Sequence, residues 1–179
     1  MTHDEIKNLL FEKLDEIIPK DRREGIGIII GTFDEYGDTT DNRVMNVLDD
    51  NLVIANTTMV QFKGNDKYSP AIIIFEDNIM EVEKQGDKQA FIDEIDITLK
   101  HEFWHCEQFR WLYDHGGLDA LKRASDADLN TGYPNGVLER GAIDYSENGI
   151  IQDFEKTLSQ FIWKEYILHG WKYCKDKFA

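Results

Sequence analysis

The chain has 179 residues, 41% of them hydrophobic and 12% aromatic, which is enough for one domain with a real core. Its 20 basic and 35 acidic side chains give a net charge of −15. That charge argues against a nucleic-acid or anionic-membrane partner, because phosphate contacts need Lys and Arg. No apolar run approaches the length of a membrane span. The opening MTHDEIKNLL lacks a signal peptide's cationic start and long apolar stretch, so a cytoplasmic protein is expected.

Residues 4–18, DEIKNLLFEKLDEII, carry apolar side chains at helical intervals and meet Pro19, which predicts an amphipathic helix. Three β-rich runs follow: GIGIIIGTF at 25–33, LVIANTTMVQF at 52–62 and AIIIFEDNI at 71–79. A polar stretch, DEYGDTTDNR, separates the first two and reads as a loop. Beyond Gly86, residues 88–113 contain no Gly or Pro and repeat apolar residues at 91, 92, 95, 99, 103, 109 and 112, predicting a long helix. His115-Gly116-Gly117 reads as its stop. A short helix over 118–128, a turn at TGYPNG (131–136) and helices over 137–148 and 150–169 complete the chain. No repeat or linker divides it. The expectation is a single α+β domain, a small mixed sheet packed on the long helix and followed by further helices.

The long helix carries the chemistry. His101-Glu102-Phe103-Trp104-His105 spells H-E-x-x-H. Positions i and i+4 share a helix face, so two imidazoles can share one zinc ion at about 2.0–2.1 Å. The intervening Glu102 can hold and deprotonate a water. Both imidazoles must be neutral to ligate, so zinc affinity is expected to fall as pH drops through about 6.5. Cys106 projects about 100° from the histidine face. It and Cys174 are read as buried or free thiols, with no disulfide framework.

HEFWHCEQF at 101–109 resembles the small H-E-x-x-H-x-x-Q metallopeptidases of bacteria and phages, the minigluzincins within the zincins. The likeness covers roughly residues 70–148. It implies that AIIIFEDNI walls the cleft and docks an extended substrate through its backbone. It also implies a third ligand from a later helix. With Gln108 and Trp111 where metzincins carry Gly and His, that class is excluded. Leu138–Tyr145 aligns with the gluzincin ligand segment through Glu139, Ala142 and Tyr145, although Gly141 stands where relatives often place the ligand. Glu139 is therefore the first candidate for third ligand. Asp144 is second, and His115, as in Spartan-type proteases, is third.

Tyr133 and Tyr145 are candidates to polarise an oxyanion, or else packed aromatics. Gln108, three residues beyond His105, either hydrogen-bonds a ligand or the substrate backbone or is a solvated helix residue. Trp104, Phe109, Trp111, Phe161 and Trp163 read as core or pocket wall. His3 and His169 are too remote in sequence to assign. The function expected is peptide-bond hydrolysis with one zinc ion and Glu102 as general base, acting on a peptide or protein substrate. The alternative is an inactive, phage-type zincin fold serving as an acidic binding or inhibitor protein, motivated by Gly141 and the acidic excess.

Overall fold

The computed structural model describes residues 1–36 and 53–162. Helix α1 (His3–Ile17) begins at Thr2, whose hydroxyl accepts from the Glu5 amide while the Glu5 carboxylate accepts from the Thr2 amide. This reciprocal cap satisfies two amides the first turn leaves orphaned. Its apolar stripe, Ile6, Leu10, Leu14 and Ile17, is buried. Ile18 is extended, as a residue before proline prefers.

Strand β1 (Gly27–Gly31) is followed by a single helical turn, α2 (Phe33–Tyr36), in part of the stretch read as loop. Strands β2 (Ala55–Gln61) and β3 (Tyr68–Phe75) follow. The sheet order is β1-β3-β2, with β1 parallel and β2 antiparallel to β3. The sheet is thus mixed, as expected. Ala71 to Phe75, the continuous apolar run, is the central strand, and all five side chains are at most 1% exposed.

Two corrections concern this region. The third apolar run does not stay extended to Ile79. At Glu76 the chain enters helix α3 (Glu76–Gln85), whose first turn carries Glu76 and Asp77 against the helix dipole. And β3 cannot wall a cleft by docking substrate backbone, because both of its edges are already paired. Among the described residues the sheet has two edge strands, β1 and β2, and it is β2 whose Ala55, Asn56, Thr57, Thr58 and Met59 line the cleft.

Helix α4 (Lys88–Thr131) starts at Asp87, whose carboxylate accepts from the amides of Gln89 and Ala90. Phe91, Ile95, Leu99, Phe103 and Cys106 pack with Ile72 and Ile74 of the sheet and with the α1 stripe in one core. His115-Gly116-Gly117 marks the expected stop, here a kink with no loop after it. Gly117 alone leaves helical geometry, at φ 67°, and a second helical segment resumes at Leu118 and runs to Thr131. Only glycine takes that φ without strain. The second segment packs Ala120 and Ala124 against Leu112, Leu138, Leu158 and Phe161, a separate small core.

Helix α5 (Val137–Asn148) is the expected helix within its predicted bounds. The following helix begins at 154, not 150, and its helical residues are described to 162; Trp163, His169 and Cys174 lie outside the described residues. None of the described helices is long and apolar enough to cross a membrane.

Candidate metal centre

Helix α4 presents three faces near its middle. One packs on the sheet through Leu99, Phe103 and Cys106. One faces α5, where the Trp104 ring stacks on Tyr145 at 4.2 Å between centroids. The third carries His101, Glu102, His105 and Phe109 into a cleft of about 1100 Å³.

Glu139, in the first turn of α5, reaches this cleft. Its two oxygens lie 3.3 Å from His101 Nε2 and 3.4 Å from His105 Nε2, and the two Nε2 atoms are 3.0 Å apart. Ligand bonds of about 2.0–2.1 Å at tetrahedral angles would hold neighbouring donor atoms about 3.3 Å apart. The three side chains therefore frame a triangle of the size a metal ion needs. Glu139 Oε2 is buried without a hydrogen-bond partner among the described residues, an atom that an ion at this place would satisfy. His101, His105 and Glu139 form the one His/Cys/Asp/Glu group among the described residues able to hold a metal ion.

The electrostatics of the triad follow from its closeness. Burial alone would push the His105 imidazolium down, but the Glu139 carboxylate outweighs it and raises His105 to about 9. Burial likewise opposes the Glu139 charge, yet the imidazoles, His105 foremost, hold its carboxyl well below the usual range. A carboxylate ionised in so buried a position is a ready cation ligand.

Gln108 is fully buried, not a solvated helix residue. Its Oε1 accepts from His105 Nδ1 at 2.8 Å, while its Nε2 donates to Leu138 O and to Gln152 Oε1. Gln152 in turn donates to Val137 O. The network ties the histidine helix to the first turn of the helix that carries Glu139. It also explains Gly141: a Cβ there would overlap Gln152 and approach Gln108 Nε2 to 2.8 Å. The missing ligand at 141 is the space this amide pair occupies.

Asp128 completes the support. From the end of α4 its carboxylate accepts from the amides of Leu138 and Glu139, capping α5 in place of a residue at Gly136. Burial raises the Asp128 pKa, and the two amides oppose that shift. On the other side of the cleft, Thr57 of β2 lies 2.7 Å from Glu102 Oε2 and 2.9 Å from Glu102 O, so the edge strand holds the glutamate.

The other candidates are not brought to this point. His115 stacks on Trp111, and its Nδ1 meets Trp111 O. Asp144 is outside the metal-competent group. Tyr145 packs between Phe103 and Trp104 and is not part of the cleft lining. Tyr133 does line the cleft; burial, then the charges of Glu139 and Glu102, raises its phenol. Cys106 is fully buried, and burial keeps its thiol protonated.

Fold and site define an α+β protein with a two-histidine, one-carboxylate cluster able to hold a metal ion. Compared with protein-family models, with curated proteins and with solved structures, the chain matches none.

Proposed function

We propose that the chain is a zincin-type, zinc-dependent peptide hydrolase, with the ion held by His101, His105 and Glu139. The observation that carries this reading is the convergence of Glu139 on both histidines beside Glu102, all lining one cleft. When bound, zinc supplies Lewis acidity that lowers the pKa of a water to about 7 and polarises a carbonyl. The work of the chain's own residues is proton transfer and positioning. Glu102 accepts a proton from the attacking water and delivers it to the leaving amine. Thr57 holds the Glu102 carboxylate through a 2.7 Å hydrogen bond and so restricts its aim. Tyr133, whose hydroxyl has no hydrogen-bond partner among the described residues, donates to the developing oxyanion.

The inhibitor reading drew on Gly141 and on charge. Gly141 has a packing role beside Gln108 and Gln152, which leaves the net charge of −15 as its remaining motive. The test is Glu102→Gln. It should keep the zinc and lower peptide hydrolysis by roughly 10²–10⁴-fold. Equal hydrolysis by both proteins would refute the mechanism.

A further inference from the structure

The cleft is not uniform along its length, and its two ends differ in chemistry. Beyond His105 it is walled by Phe109 and by the second segment of α4, which turns Leu118, Leu121 and Leu129 toward it at helical spacing. Leu118 is 40% exposed, a large apolar side chain left open at the cleft's edge. The opposite end, before His101, also has apolar lining in Phe91 and Ile97, the latter 41% exposed, but it alone adds two carboxylates, Glu94 and Glu147. Both are exposed, and neither has an ion-pair partner among the described residues. Among the described residues no Lys or Arg lines the cleft.

The edge strand gives these ends a direction. Thr57 lies against Glu102, and Gln61 at the far end of β2 pairs with Tyr68, whose ring meets Tyr113. Strand β2 and the first part of α4 therefore run the same way along the cleft. A peptide adding to β2 in the more stable antiparallel sense runs opposite to both. Its N-terminal half then lies on the leucine end and its C-terminal half on the Glu94–Glu147 end.

We infer that the substrate is an extended peptide with a large apolar residue on the N-terminal side of the cleaved bond and a basic residue on its C-terminal side. This rests on the peptidase reading above and adds to it the order of the two side chains. The leucine stripe takes the apolar group out of water, and Glu94 and Glu147 meet the cation with an unpaired carboxylate each. Acidic peptides are rejected, since Glu94 and Glu147 repel them and no Lys or Arg among the described residues lines the cleft to offset that.

The experiment uses the zinc-loaded full chain and two internally quenched peptides of identical composition. One has leucines before and lysines after a central pair, and the other has the reverse order. The first should be cleaved at least about tenfold faster, a discrimination one well-filled apolar pocket supplies. Leu121→Asp should raise KM for that peptide, and Glu94→Lys combined with Glu147→Lys should abolish the preference for lysine, zinc content staying unchanged in both. Equal rates for the two orders, or preference for the reverse, overturn the inference and leave the peptidase reading intact. If neither peptide is cleaved by the wild type nor bound by Glu102→Gln, and a mixed peptide library is also left whole, the peptidase reading fails and this inference with it.

Discussion

His105 Nδ1 lies 2.8 Å from Gln108 Oε1, one turn further along the same helix. An amide oxygen can only accept, so Nδ1 carries a proton throughout, and it is Nε2, facing Glu139 and His101, that loses its proton and presents a lone pair when the ring becomes neutral. The orientation is fixed by a partner that is itself anchored to Leu138 and Gln152. Such outer partners make a ligand more basic and hold its ring.

Gln108→Leu should therefore weaken zinc binding by about 10–100-fold, although residue 108 is not itself a ligand. It should also leave Gln152 Oε1 without its closest donor. Competition titration with a chromophoric chelator measures the affinity. An unchanged Kd would mean that the ring is held by packing alone.

The pH dependence of binding should extend to higher pH than an ordinary histidine allows. In the metal-free protein His105 is raised to about 9 by Glu139, against the effect of its burial. Ligation needs the neutral ring, so each ion displaces a proton below that pH. Apparent affinity should then climb by about tenfold per pH unit up to about 9 and level off above it. A plateau already at pH 7 would show that Glu139 does not face the imidazole.

Asp128→Ala removes the carboxylate that accepts from the Leu138 and Glu139 amides and leaves both donors buried or half-buried. The cost should be about 1–3 kcal/mol, as for buried donors without partners. For a chain of this size that is a fall in Tm of roughly 2–12 °C by calorimetry. Asp128→Asn keeps one acceptor and should lose less. Equal losses from both would assign the effect to packing.

What could be read from the sequence was what is local. The H-E-x-x-H spacing places His101, Glu102 and His105 within a turn and a half of one helix, so their shared face needs no tertiary information. The helix bounds at 137–148 were similarly legible from Gly136 and Gly149 at its two ends. The boundary at Glu76 was missed because Ile79 continues the apolar run in composition, while the acidic first turn that starts α3 was read as strand. Strand order was beyond local signals, and the edge position of β2 is a matter of pairing across the fold. Thr57, Asp128 and Gln152 were missed for the same reason, since each acts on a residue at least ten positions away. Gln108 was visible in the pattern, but its burial depended on where α5 packs.

The claim on which the rest stands is that Glu139 and the two histidines hold one ion. Its most direct test is metal analysis after zinc loading and desalting, on the wild type and on His101→Ala, His105→Ala and Glu139→Gln. The expected result is one zinc per wild-type chain, loss of stoichiometric zinc in either histidine variant, and a strong loss in Glu139→Gln while Asp144→Asn and His115→Ala retain it. A wild type that keeps no zinc, or a Glu139→Gln that keeps all of it, would contradict the account.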